Sequence, residues 1–179
     1  MSLSLPRPPI LETERLRLEP IGETDVPAMF ALLGDPEVMA YWDSPEIADP
    51  DVVTEIVLGQ VSDMAEGKAV YWGVRRLADG DFIGACDLSE IDARHHRAEV
   101  GFMLGRGAWG HGYAVEAMRA VIAHAASIGL RRLTARTHLG NRRSDSLLEK
   151  LGFHEEGLLR GYILRDGERR DCRLFGLLL

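Results

Sequence analysis

Two glycines open the stretch Trp109-Gly110-His111-Gly112-Tyr113-Ala114-Val115-Glu116-Ala117-Met118, just after a predicted strand and at the start of a long amphipathic helix. Glycine lets the backbone approach a ligand with no Cβ in the way. A helix N-terminus has free N–H groups and a partial positive charge. Together they suit a phosphate or pyrophosphate. Without a ligand, the same residues make a tight strand-to-helix turn. A second constellation is Asn141-Arg142-Arg143-Ser144, followed by Leu148-Glu149-Lys150-Leu151-Gly152-Phe153. Asn141 is a good helix cap and Gly152 a good stop. Both loops follow strands of one sheet, so both face the same sheet opening.

Other chemistries fit less well. Gly105-Arg106-Gly107-Ala108-Trp109-Gly110 matches G-x-G-x-x-G letter for letter. A dinucleotide site also needs an acidic residue about 20 positions on, at the end of the next strand. Thr137 and His138 stand there instead. No G-K-[ST] follows a glycine loop, and no G-x-S-x-G elbow is present. His95 and His96, near Asp92, sit in a polar loop and read as solvated side chains; no metal is expected.

The elements that position these residues follow from periodicity. Leu16–Pro20 alternates as a first strand, and Thr24 is placed to cap a helix carrying Val26, Met29, Phe30 and Leu33. Residues 36–42 read as a short helix running into a loop. Asp49-Pro50 starts a longer helix that ends at Gly67. Residues 69–76 and 82–88 are strands joined through Asp79-Gly80, and residues 99–104 form another. The helix from Gly112 stops at Gly129, residues 133–137 form a strand, and Asn141 starts the short helix. Residues 157–164 and 170–178 close the chain as a hairpin around Asp166-Gly167. This order makes an α/β (α+β) mixed sheet. Residues 1–10 are Pro-rich and read as a loose segment, and 11–179 as one domain.

Composition narrows the function classes. The 179 residues suit one sizeable core, with 46% hydrophobic and 27% charged residues. The net charge of −7 argues against broad nucleic-acid binding. Cys86 and Cys172 are the two cysteines, so no disulfide framework is visible and a reducing compartment is expected. The start, MSLSLPRPP, reads as no signal peptide, and no apolar run approaches membrane-spanning length. The cytoplasm is the expected location.

The chain resembles the GNAT superfamily of N-acetyltransferases, and within it the RimJ/RimL-like ribosomal-protein N-terminal acetyltransferases. The matching residues are Leu11-Glu12-Thr13-Glu14-Arg15-Leu16-Arg17-Leu18, the W-G-x-G-Y-A-x-E-A run at 109–117, the N-x-x-S-x-x-x-L-E-K-L-G-F run at 141–153, and the final hairpin with Asp171 and Phe175. The resemblance spans residues 11–179. It implies a mostly antiparallel sheet with splayed central strands, here 99–104 and 133–137, flanked by helices. It also implies acetyl-CoA as cosubstrate. Its pantetheine arm would pair with the backbone of Met103 and Leu104. Its pyrophosphate would sit on the amides of Gly110, His111, Gly112, Tyr113 and Ala114. Trp109 stands where the family often has Arg or Gln, a replacement frequent in the RimJ/RimL-like branch. Asn141 matches the position that bonds the pantetheine arm.

Amine acetylation needs a base to make the amine neutral and N–H donors for the oxyanion. Many superfamily members place a Tyr acid at the position of Leu148, so that acid is absent here. The resemblance assigns Ser144 instead, as cofactor contact and acid. Glu99 is the candidate base, with a paired structural carboxylate as its other reading. The least regular parts should build the acceptor pocket: Tyr41, Trp42 and Asp43, with Trp72 and Tyr162. The expected acceptor is a primary amine, foremost a peptide or protein N-terminal α-amine. A small amine (antibiotic, polyamine or amino acid) is the first alternative. An idle acyl-CoA-binding regulatory module is the second. Monomer and homodimer both remain open.

Overall fold

The computed structural model describes residues 8–179. Residues 8–10 precede the first strand without regular structure, and the rest of the segment read as loose lies outside the described residues. One eight-stranded sheet runs through the molecule in the order β1-β2-β3-β4-β5-β6-β8-β7. Its strands are β1 (Leu11–Glu12), β2 (Leu16–Pro20), β3 (Val70–Arg76), β4 (Phe82–Asp92), β5 (Arg97–Leu104), β6 (Arg132–His138), β7 (His154–Arg165) and β8 (Glu168–Leu178). Four α-helices accompany them: α1 (Val26–Leu33), α2 (Pro50–Ala65), α3 (Tyr113–Ser127) and α4 (Arg142–Lys150).

Alternation along the strands sends side chains to two separate cores. Val70, Trp72, Val74, Val100 and Phe102 join α3 and α4 in the first cluster. Tyr71, Ala85 and Met103 join α1 and α2 in the second. The helix signals act where expected. Asp49 Oδ1 accepts from Asp51 N–H at 2.9 Å, and Pro50 fills the first turn of α2. Gly129 follows α3 at φ +97°. Asp166 and Gly167 adopt φ +54° and +78°, a two-residue turn whose hand matches strand twist.

Two local readings need correction. Thr24 caps nothing in the structure: it lies in a 3-10 turn, Glu23–Asp25, and Asp25 Oδ2 accepts from Gly22 N–H at 3.0 Å. The stretch 36–42 holds only a 3-10 turn, Met39–Tyr41.

Every neighbouring strand pair is antiparallel except β5–β6. These two pair in parallel only at Arg97↔Arg132, Ala98↔Leu133 and Glu99↔Thr134. Beyond Glu99 they part, so the sheet opens at its centre.

Candidate active site

The open end of β5 offers backbone groups to the gap. Gly105 N–H donates to Ile83 O at 2.9 Å, and Ala85 stands opposite Met103. In an antiparallel pair, hydrogen-bonded and non-bonded positions alternate. Met103 therefore spends its amide and carbonyl on β4, while Phe102 and Leu104 turn theirs toward β6. The expectation for Met103's backbone is thus corrected: its side chain lines the groove and its backbone does not face it. The Leu104 carbonyl is already taken by Trp109 Nε1–H at 2.8 Å.

A groove of about 500 Å³ lies at this opening. Met103, Leu104, Trp109, Ala114, Asn141 and Ser144 line it, together with Arg142, Arg143 and Leu147. Arg143 stacks on the Trp109 ring at 4.0 Å, so a cation covers the aromatic wall. Gly110, His111, Gly112 and Tyr113 lie between the lining residues Trp109 and Ala114 and are not themselves part of the lining. Gly110 and Gly112 both sit at φ +79°, a conformation that favours glycine. A Cβ at Gly110 would meet nothing within 4 Å, so this turn is open to a ligand. The amides of Gly110 through Val115 donate to no acceptor among the described residues. An anion would therefore find uncommitted donors at the start of a 15-residue helix.

A clamp from the N-terminal strands fixes that helix start. Glu116 accepts from Thr13 Oγ1 at 2.6 Å, from Arg15 N–H at 2.8 Å and from Arg15 Nε at 2.7 Å. Arg15 Nη1 also donates to His111 O at 3.0 Å, and its guanidinium lies 4.6 Å from the Tyr113 ring centre. Burial opposes the charge of Glu116, but Thr13 and Arg15 outweigh it and hold its pKa below the usual value. The Thr13–Arg15 motif thus acts on the loop from a distance.

The start of α4 is fixed in a similar way. Asn141 Oδ1 accepts from Ser144 N–H at 3.3 Å. Buried Asp145 accepts from Thr137 Oγ1 at 2.7 Å and from Arg173 Nη1 at 2.8 Å. Leu148 is fully buried in the first core and carries no chemistry.

On the α1/α2 face of the sheet lies a second cavity, of about 260 Å³. It shares Tyr41, Trp42, Phe102, Asn141 and Ser144 with the groove, so the two meet at the gap between β5 and β6. Asp43, Asp87, Glu99, Arg136 and His138 add its charged and polar lining. Glu99 is held by Arg136, whose Nε lies at 2.9 and 3.0 Å from its oxygens and Nη2 at 2.7 Å. Burial raises the Glu99 pKa, and Arg136 opposes the rise. Asp87, opposite Gly101 on β5, has no cationic partner among the described residues. Its carboxylate occupies the space of a Gly101 side chain, with Oδ2 2.5 Å from where that Cβ would stand. Burial pushes Asp87 up to about 6; the Ser89 hydroxyl opposes this and the Glu99 charge adds to it.

The loop bearing Trp42 and Asp43 is tied down twice. His138 Nε2 and Asp43 Oδ1 lie 2.9 Å apart. Buried Arg165, at the end of β7, donates from Nη1 to the carbonyls of Met39, Ala40 and Trp42 at 2.7, 3.2 and 2.8 Å. Two expected acceptor residues lie elsewhere. Trp72 is wholly buried in the first core, and its Nε1 donates to Pro9 O at 2.8 Å, so it cannot meet an acceptor. Tyr162 is half exposed on β7, outside the lining, and reaches the site only through Arg136, 5.1 Å from its ring centre.

Residues 15–154 match the acetyltransferase (GNAT) domain. The chain belongs to the GNAT acetyltransferase family. It is 30% identical to YoaA, an uncharacterized N-acetyltransferase of Bacillus subtilis, over 94% of this chain and 96% of that one. It is 31% identical to the [ribosomal protein uS5]-alanine N-acetyltransferase of Escherichia coli, over 67% of this chain and 63% of that one. Its fold matches that of RimL, a ribosomal L7/L12 alpha-N-protein acetyltransferase solved with coenzyme A. The TM-score is 0.88 at 19% identity, covering 96% of this chain and 98% of the other. The protein is thus an N-acetyltransferase of GNAT type. Among the described residues of this acetyltransferase, no helix is long and apolar enough to cross a membrane.

Proposed function

We propose that this acetyltransferase uses acetyl-CoA to acetylate the α-amine of a peptide or protein N-terminus, by direct attack in a ternary complex. The observation that carries the reading is the meeting of the groove and the cavity at the parted strands, with Phe102, Asn141 and Ser144 common to both. One side suits a thioester donor and the other an amine. The groove fits the cofactor: open amides at Gly110–Ala114 suit a pyrophosphate, the Phe102 amide and carbonyl and the Leu104 amide face a pantetheine arm, and Arg142 and Arg143 add positive charge. Acetyl-CoA supplies an activated acetyl group on a thiol.

The chain's residues then divide the proton traffic. An ammonium is drawn into a cavity holding Asp43, Asp87 and Glu99. Asp87 takes the amine's proton, because its carboxylate is free of a cation and its pKa of about 6 is close to working pH. Glu99, locked to Arg136, shapes the wall and keeps that arginine in place. Ser144 lines both spaces and donates to the departing sulfur. The small size of the cavity, about 260 Å³, favours a second reading, a small polyamine or amino acid acceptor.

A thiol-release assay with acetyl-CoA over peptides, polyamines, aminoglycosides and amino acids tests the proposal. Turnover with free N-terminal peptides is expected. Turnover confined to small amines would replace it with the second reading, and binding of CoA with no turnover on any amine would leave an acyl-CoA-binding module.

A further inference from the structure

Beside the acidic cavity lies a third space, of about 340 Å³, with the opposite charge. It shares Tyr41 and His138 with the acidic cavity and adds Leu139, Arg169, Arg170 and Asp171. Arg169 uses Nη1 on the Gly161 carbonyl, at 2.9 Å, and its other donors make no hydrogen bond among the described residues. Arg170 comes no closer than 3.6 Å to Asp166. Two guanidinium groups, each with five N–H donors, are thus largely unspent. Asp171 offsets them in part, and its Oδ1 accepts from Gly161 N–H at 2.7 Å.

Arg169 is placed rather than loose. Gly161 sits at φ +57° in the irregular stretch of β7, between Leu159 and Ile163, where its register with β8 shifts. A Cβ there would stand 3.3 Å from Arg169 Cδ. The missing side chain gives Arg169, a lining residue of the cleft, room to lie over the bulge with Nη1 on the Gly161 carbonyl.

We infer that this cleft is an acceptor subsite for a carboxylate, so that the enzyme prefers N-termini with an acidic side chain within the first few residues. The inference rests on the N-terminal acceptor proposed above. The amine would enter among Asp43 and Asp87, and the chain would pass Tyr41 and His138. An extended peptide advances about 3.3 Å per residue, so one to three residues bridge neighbouring cavities of this size. A guanidinium fork donates two parallel hydrogen bonds to a carboxylate, which selects Asp or Glu over neutral side chains. In a chain of net charge −7, a cationic cleft beside an anionic cavity reads an acceptor by both ends.

The experiment compares three peptides of one length and one first residue, with Glu, Gln or Lys at positions two to four. kcat/KM is measured for wild type, R170Q and R169Q/R170Q. The wild type should favour the Glu peptide over the Gln peptide about 10-fold and disfavour the Lys peptide, with the preference weakened by salt. The Glu/Gln ratio should fall toward one in the double variant. R170Q alone keeps the test informative if the double variant fails to fold, because the Arg170 side chain makes no hydrogen bond among the described residues. Equal rates on all three peptides, or a preference that survives both variants, would overturn the subsite and leave the N-terminal reading standing. Acetylation of small amines with no peptide modified would remove both.

Discussion

Asp87→Asn should do two opposite things, lowering activity while raising stability. The Asp87 carboxylate is held near pKa 6 against an ordinary 3.8, because the cavity wall strips it of water. A raised carboxylate pKa penalises folding once the group is charged. The penalty is absent below pH 4, grows as pH rises toward 6, and is complete above it. Its upper size is about 3 kcal/mol. Partial exposure of the group and the hydrogen-bonding needs of the new amide reduce the expected gain to about 1–2 kcal/mol at pH 8. For a chain of this length that is a Tm increase of about 2–8 °C, vanishing near pH 4. Loss of the base should lower kcat/KM by on the order of 10²–10⁴-fold. The pH profile separates these effects. Below pH 6 the wild type loses the carboxylate that deprotonates the bound ammonium, so log kcat/KM should rise with a slope of about one and level off above pH 6, whereas the variant, which must take up the neutral amine, should keep rising toward pH ~8. Thermal melts across pH and steady-state rates on one peptide supply both readings. An Asn variant with wild-type kcat/KM and an unchanged acid limb, or one equally destabilised at pH 4 and pH 8, would refute this assignment.

Further outcomes follow from the same geometry. Gly110→Asp places a carboxylate among the open amides, in a conformation Asp tolerates, and should weaken CoA binding at least ~10-fold by calorimetry; unchanged affinity would remove the phosphate-loop reading. Ser144→Ala should lower kcat more than it raises acceptor KM, and a wild-type kcat would leave Ser144 structural. Arg165→Met frees three carbonyls under the Trp42 loop and should raise acceptor KM while leaving CoA affinity within about 2-fold; equal losses of both would mean a general packing defect. Glu116→Ala should cost about 2–4 kcal/mol in urea unfolding at pH 7, because it releases Thr13 and Arg15 together. The pKa of Glu116 is depressed, so this contribution is present above the usual carboxylate range and fades as pH falls through the folded value.

The sequence carried the fold wherever signals were local. Asp49-Pro50, Gly129 and the Asp166-Gly167 turn each act at their own position, and the strands merely run longer than their apolar cores. The two groove motifs were legible because glycines and a capping Asn have backbone reasons to be where they are. The acceptor side was not. Trp72 looks like any strand aromatic, and only the alternation of β3 against both cores shows that it points at α3. Arg165 has partners more than 120 residues away, with no local trace. Asp87 did leave a signal: a carboxylate inside an alternating apolar strand needs room, and Gly101 opposite gives it. The backbone facing of Met103 depends on register, which one residue of slip inverts.

One measurement meets the central claim most directly. Two peptides of the same sequence, each with a single lysine, are incubated with enzyme and acetyl-CoA; one has a free N-terminus and the other a blocked one. An α-amine titrates near ~8 and a lysine near ~10.4, so the α-amine is the more available nucleophile at pH 7. Fragment mass spectrometry should find acetyl on the free N-terminus and on neither lysine. Equal lysine acetylation in both peptides, with none at the free terminus, would contradict the N-terminal assignment.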